Sequence, residues 1–502
     1  MTHNTHPKKA NLSEAANMYP ASDTEFLHEA DAFIEAHWEE IVREIATLVS
    51  IPSVADFSSA TPQDPSGFQA HEGLIAAVEL AKRLGFEAWD DAGEIGIADL
   101  PGMSDTQLAM ICHTDVVASG VGWTSDPWTL ERRDGFLIGR GVLDDKGPLV
   151  ISLYCMKFFK DCCECSHQRL PYTLRMLLGT NEETGTMRDV RYYLNHYPAP
   201  AFLFTPDNAF PVCYGEKGQF DIAITSPTIT GNIVDFSTGE SSTNAVPSQA
   251  TMLVRASAKD LPAHKDIEIT EADGGCIRLV ATGVGGHASL PENTVNAIGI
   301  LVGYVLDNHL CAHEEEPYLR FIQRIMDSTD GSSIGIDTKD EFFGSLTCIV
   351  GTIHSTEGQL RITVDIRYPT SITHSELLDA FRTQAKKVGA TVEVTGGLPP
   401  LLTQPESPAI QVLASSYCDA TGFDGVPFTT GGGTYAREFP CAASFGPEDP
   451  HDTYPDWVGP MHGANEGVSE ATLKRAMRVY MLTIKRLMET DLGNSPSREC
   501  SK

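Results

Sequence analysis

Gln107-Leu108-Ala109-Met110-Ile111-Cys112-His113-Thr114-Asp115 is the stretch that decides the fold. An apolar run closed abruptly by a polar cluster reads as a strand buried on both faces. Such strands belong to parallel sheets covered by helices. Two further runs end in the same way. Residues 174–178 lead to Asn181-Glu182-Glu183-Thr184-Gly185, and residues 201–204 lead to Thr205-Pro206-Asp207-Asn208. In open α/β sheets, ligands bind beyond the carboxyl ends of the strands. A polar strand end that recurs three times therefore marks where the chemistry should lie.

Working outward, Phe33, Ile34, Trp38, Ile41, Ile45, Leu48 and Val49 recur at helical spacing over about 26–50. Residues 73–84 give a second amphipathic helix, ended by Gly85. The texture then changes. Strand-like alternation in 219–225, 277–282 and 360–366, with helices over 296–306 and 377–388, suggests a smaller α+β domain. Beyond about 400 the chain is Gly-rich again and finishes on a long helix over 470–489. The expected fold is α/β with two domains: a catalytic domain with a mostly parallel central sheet, interrupted by an inserted α+β domain. The expected division is a polar N-terminal extension 1–25, a catalytic domain 26–213 and 396–490, an inserted domain 214–395, and a C-terminal tail 491–502.

A chain of 502 residues is too long for one comfortable core, which agrees with that division. With 36 basic against 68 acidic residues the net charge is −32, so nucleic acid is not an expected partner. No stretch approaches the roughly 18–20 apolar residues needed to cross a bilayer. Residues 1–20 are polar and do not read as a secretory signal, so a cytoplasmic location with reduced thiols is the expectation. Among the twelve cysteines, Cys162, Cys163 and Cys165 lie close to His167. Adjacent cysteines cannot easily converge on one tetrahedral ion, so a surface loop with free thiols is expected there.

The chemistry-bearing residues follow the strand ends. His113 and Asp115, two apart on extended chain, point the same way, and a carboxylate there can hold the second ring N–H of a metal-bound histidine. By itself, His113 would read as a satisfied core histidine. In Gly139-Arg140-Gly141-Val142-Leu143-Asp144-Asp145-Lys146-Gly147-Pro148, flanking glycines allow tight turns that put a carboxylate at a strand-to-helix junction. A carboxylate with two oxygens can bridge two cations. The adjacent Glu182 and Glu183 can divide two tasks, one binding metal and the other taking a proton from a metal-activated water. Asp207 offers another hard oxygen, and Gly459-Pro460-Met461-His462-Gly463-Ala464-Asn465-Glu466 supplies a second histidine. Two histidines, three carboxylates and a spare glutamate suit two divalent ions roughly 3.5–4 Å apart.

These five segments, in this order, resemble the M20 metallopeptidase family, most closely its PepV-like dipeptidase branch, over about 26–490. The resemblance implies that His113 and Asp207 hold one ion, that Glu183 and His462 hold the other, and that Asp144 bridges them. Asp115 would orient His113, Glu182 would be the general base, and the Asp144–Asp145 bond would be cis. The inserted domain would be a lid that stands in for a dimer, leaving a monomer or weak homodimer. Within Gly285-Gly286-His287-Ala288-Ser289-Leu290-Pro291-Glu292, His287 would polarise the scissile carbonyl. Arg367 would hold the substrate carboxylate, and Asn244 would be a further contact. Gly432 and Gly433, in the 431–437 loop, would approach the substrate with bare backbone N–H groups. Two divalent ions are implied, zinc by family default, with manganese or cobalt also suited to oxygen-rich ligands. The implied reaction is amide hydrolysis in a dipeptide. The rivals are an N-acyl amino acid amidohydrolase and a non-catalytic metal-binding scaffold, and the presence of Glu182 speaks against the scaffold.

Overall fold

The computed structural model describes residues 18–20, 22–258 and 261–493. Most of the expected N-terminal extension, and the tail from 494, lie outside the described residues. Two compact units emerge: one from residues up to Tyr214 with 401–428 and 433 onward, the other from 215–400 with 429–432.

The first unit opens on α1 (Asp23–Val49), three residues earlier than the apolar pattern suggests. Ser22 sets that start, because its side chain accepts the N–H of Glu25. Next, α2 (Phe68–Arg83) begins well before 73; Phe68 and Gln69 are exposed, and the buried face starts at Ala70. The strands follow: β1 (Glu87–Asp91), β2 (Ile95–Leu100) and β3 (Ser104–His113). Then come α3 (Lys146–Ser166), β4 (Tyr172–Gly179), α4 (Arg188–His196) and β5 (Phe202–Thr205). After the second unit the chain adds β6 (Ala442–Ser444) and α5 (Glu470–Met488). The order β1-β2-β4-β3-β5-β6 has a parallel centre, β4 to β6, and an antiparallel edge.

The alternation of β3 explains its unbroken apolar run. Leu108, Met110 and Cys112 enter a core shared with α1, α3 and α5. Ala109 and Ile111 enter a second core on the opposite face, with Val190 and Tyr193 of α4. Both faces are dry, so every position wants an apolar side chain.

The cysteine cluster differs from expectation: Cys162, Cys163 and Cys165 form the last turns of α3, and His167 caps it in the left-handed region. The helix is buried on all sides from Lys146 to Met156, which erases the 3.6-residue signature that would have revealed it. Cys162 and Cys163 pack against the core, Cys165 is exposed, and all three are free thiols.

The second unit is built on an antiparallel sheet of eight strands backed by helices, with two small two-stranded ladders besides. Thr347–Thr356 lies at its middle, followed outward by Gln359–Tyr368 and Gly218–Thr225, and Ala297–Asp307, Glu316–Met326 and His374–Lys387 bury its apolar face. Its last strand, Thr391–Leu398, runs through 395, because Gly396 and Gly397 are accommodated beside an irregularity at Asp221 rather than ending the strand. Residues 429–432 also belong here. The N–H of Lys217 donates to the Thr430 carbonyl (2.9 Å), and the Thr429 hydroxyl donates to the Phe342 carbonyl (2.7 Å). Among the described residues, no helix is long and apolar enough to cross a membrane.

Candidate metal centre

His113 is the last residue of β3. Its Nδ1–H donates to the main-chain carbonyl of Asp115 at 2.8 Å. A carbonyl can only accept, so Nδ1 carries a proton, and Nε2 is the ring atom turned towards Asp144 Oδ1 at 2.9 Å and Asp207 Oδ2 at 4.0 Å. The ring is therefore oriented by the backbone of Asp115 rather than by its carboxylate, which stands 3.6 Å away. That buried carboxylate accepts the N–H groups of Glu182 (3.3 Å) and Glu183 (3.1 Å), so it fixes the turn that carries the glutamate pair. Burial first, then the charges of Glu183 and Asp189, push the Asp115 carboxyl up to about 7 against the pull of His113.

Asp144 lies in the turn that enters α3. Glu466 builds this turn: one carboxylate oxygen accepts the N–H groups of Gly141 (3.0 Å), Leu143 (3.0 Å) and Asp144 (3.2 Å). Its other oxygen takes Arg140 Nη1 at 2.5 Å, with both side chains fully buried. Arg140 Nη2 in turn donates to the carbonyls of His462 and Gly463, each at 3.2 Å. One ion pair thus ties the Asp144 turn to the His462 loop. Gly141 has φ +86°, a conformation open to glycine at no steric cost. The Asp144–Asp145 bond is cis. The two aspartates divide their work: Asp145 accepts the His113 N–H at 3.1 Å, while Asp144 points into the centre.

The two oxygens of Asp144 reach two different histidines, Oδ1 to His113 and Oδ2 to His462 Nε2, both at 2.9 Å. His462 Nε2 also lies 3.0 Å from Glu183 Oε2. Two donor groups result, His113/Asp144/Asp207 and Asp144/Glu183/His462, and within each the ligand atoms lie within 4.8 Å of one another. Burial works against the charge on Asp144, but hydrogen bonds from His113 and His462 hold its carboxyl far below the usual range. Hydrogen bonds to Asp144 and Glu183 raise His462 to about 10. Asp207 and Glu182 are driven up, first by burial and then by neighbouring carboxylates. So much converging negative charge calls for cations, and hard oxygen and imidazole donors suit a divalent metal. The residues present fit the implied group.

Five residues that support this centre carried no assigned role in the sequence. Arg140 and Glu466 sit inside quoted motifs, but nothing in a linear reading pairs them. Asp189 accepts the N–H of Thr180 (2.7 Å) and the hydroxyl of Tyr435, and so stiffens the chain before Glu182. The ring of Tyr435 meets His113 edge-on at 6.3 Å. Gly179 is required beneath it, because a Cβ there would collide with the phenol.

In the second unit, His287 and Asn244 are neighbours. Ala245 pairs with His287, and the Ala288 N–H donates to the Asn244 carbonyl at 2.9 Å. His287 is exposed, and its Nδ1 accepts the Ser289 N–H at 3.1 Å, which places the ring proton on Nε2. Arg367 is buried and already engaged: Nε and Nη2 grip the two Asp365 oxygens at 2.8 Å each, and Nη1 donates to the Gly431 carbonyl at 3.1 Å. Only its Nη1–Nη2 edge is left to offer a carboxylate. The Gly432 N–H donates to Thr430 Oγ1 at 3.2 Å, so it is not a bare donor as expected. Gly433 belongs to the first unit, where a Cβ would overlap the guanidinium of Arg437.

A parallel-centred α/β unit with a cradle of three carboxylates and two histidines, interrupted by an antiparallel α+β unit, defines a metallopeptidase of two-domain design. The chain belongs to peptidase family M20/M25/M40, whose family model matches residues 109–486. It is 30% identical over 472 residues to "Putative dipeptidase YtjP" of Bacillus subtilis, covering 89% of this chain and 97% of that one. Human carnosine dipeptidase 1 shares the fold at a TM-score of 0.55 and 14% identity, over 92% of this chain and 100% of that chain. Bacillus subtilis YXEP, described as a dinuclear metal binding peptidase of the M20 family, aligns at a TM-score of 0.50 and 12% identity, over 91% and 99%.

Proposed function

We propose that this chain is a dipeptidase that works with two divalent cations and uses Glu182 as general base. The observation that carries the reading is Asp144, whose two oxygens each face a different histidine between Asp207 and Glu183. The name of the YtjP relative supports the dipeptide substrate. When bound, the cations supply Lewis acidity and lower the pKa of a nearby water. Glu182 belongs to neither donor group, and its raised proton affinity suits a carboxylate that accepts a proton from the attacking water and hands it to the leaving amine. His287 is assigned the carbonyl oxygen, to which its Nε2–H donates as negative charge develops. Arg367, through its remaining edge, is assigned the substrate carboxylate, and Asp365 holds that guanidinium in place. Zinc is the proposed metal and a monomer or weak homodimer the proposed state. The free thiols of the described cysteines agree with a reducing compartment.

The test is a purified chain stripped with chelator and assayed on dipeptides, tripeptides and N-acetyl amino acids after zinc, manganese or cobalt is restored. Metal-dependent cleavage confined to dipeptides is expected. Cleavage of the acetylated compounds alone would reassign the chain as an amidohydrolase, and silence with metal still bound would reduce it to a scaffold.

A further inference from the structure

β5 and β6 are parallel neighbours, with Leu203 opposite Ala442 and Thr205 opposite Ser444, so both release the chain at the same edge of the sheet. From β5 the chain reaches Asp207, a member of the donor cradle. From β6 it reaches Gly446-Pro447-Glu448. The two continuations pair again in a short parallel ladder, Pro447 opposite Asn208 and Glu448 opposite Ala209. The Asn208 N–H donates to the Gly446 carbonyl at 2.9 Å, and the Phe210 N–H donates to the Glu448 carbonyl at 2.7 Å. The backbone of Glu448 is thereby fixed beside the segment that holds a cation ligand.

Its side chain is left over. The Glu448 carboxylate is half-buried, and among the described residues it accepts no hydrogen bond and meets no basic group. Burial first, and then the charge of Asp144, hold its pKa above the ordinary carboxylate range, so it lies within electrostatic reach of the bridging aspartate. It belongs to neither donor group. A carboxylate in such surroundings gains most from a cation that arrives with the substrate.

We propose that Glu448 binds the free α-ammonium group of the dipeptide and so selects substrates with an unblocked amino terminus. The inference rests on the dipeptidase reading. In a dipeptide the ammonium is borne on the carbon next to the scissile carbonyl, so whatever holds it must stand close to the cation cradle, and the ladder sets the Glu448 backbone beside Ala209, two residues past Asp207. An N-acyl amino acid has no such cation and leaves the carboxylate unpaired, which penalises the wrong substrate as well as favouring the right one.

The test compares alanyl-alanine with propionyl-alanine, the same molecule with hydrogen in place of the amino group, in the metal-loaded wild type and in Glu448→Gln. Each compound is assayed as a substrate, or as a competitive inhibitor where turnover is slow. A charged hydrogen bond of this kind is expected to give the wild type a preference of roughly 10- to 100-fold for the free amine. In Glu448→Gln that preference should collapse towards unity, with propionyl-alanine handled as before and metal content unchanged. An undiminished preference would overturn the proposal while leaving the dipeptidase reading intact. An equal loss on both compounds would also overturn it, by making Glu448 structural. Failure of the wild type to cleave any dipeptide would instead remove the reading on which the proposal rests.

Discussion

Glu182 and Glu183 are adjacent, of one residue type and on one turn, yet only Glu183 lies within reach of His462. Glu182→Gln should accordingly keep its metal and lose about 10²–10⁴-fold in kcat. Metal analysis alongside initial rates decides this, and a near-normal rate would discard the assignment. Arg140 makes a different prediction. Replacing it with Met leaves the Glu466 carboxylate buried without its partner, at a cost of about 3–5 kcal/mol. Denaturant unfolding should report that loss, and metal affinity should fall with it, because Glu466 shapes the turn of Asp144. A stable Arg140→Met protein with normal metal binding would show that the pair is incidental.

Between α2 and its neighbours lies a pH-dependent clasp. His71 on α2 is held by Asp64 at 2.6 Å and, across the ring, by Asp90 on β1 at 2.8 Å. Burial opposes its charge, but the hydrogen bonds to Asp90 and Asp64 prevail and raise its pKa above 6.5. A raised folded pKa stabilises fully below the unfolded value and fades as the pH climbs through the folded one. Replacing His71 with Gln should therefore cost more stability near about pH 6 than near about pH 9. Unfolding curves at the two values test the sign, and a cost that grows with pH would refute it. At the end of β4, Gly179→Ala should cost about 1–3 kcal/mol or more, since a side chain there overpacks Tyr435. Thermal melts read this directly.

At this scale the sequence was informative wherever burial was simple. β3, β4 and β5 announced themselves as apolar runs, and His113, Glu183 and Asp207 followed because each stands at or just past such a run. The edge strand β1 did not, since Glu87–Asp91 is polar and partly exposed. α3 was hidden because its first turns, from Lys146 to Met156, are buried all round and have no polar face to give the helix a period. Arg140 and Glu466 were visible as letters but not as a pair, because 326 residues separate them and only the folded chain closes that gap.

For the molecule as a whole, all five proposed cation ligands come from the first unit. Metal should therefore stabilise that unit selectively. A ligand at about a thousand times its Kd adds about 4 kcal/mol to the state that binds it. Calorimetry of the chelated chain with metal restored should show one transition rising and another standing still; two transitions rising together would contradict the assignment of the ligands to one unit.

The short passage 429–432 bears on how this protein can be taken apart. The second unit is not one uninterrupted stretch of chain. A recombinant fragment cut at 215 and 400 would lack the Gly431 carbonyl that receives Arg367, and the Thr430 carbonyl that receives Lys217. A faithful excised version needs those four residues grafted back through a linker or supplied as a peptide. Recovery of a cooperative melt on adding the peptide would make this chain a natural case of fragment complementation.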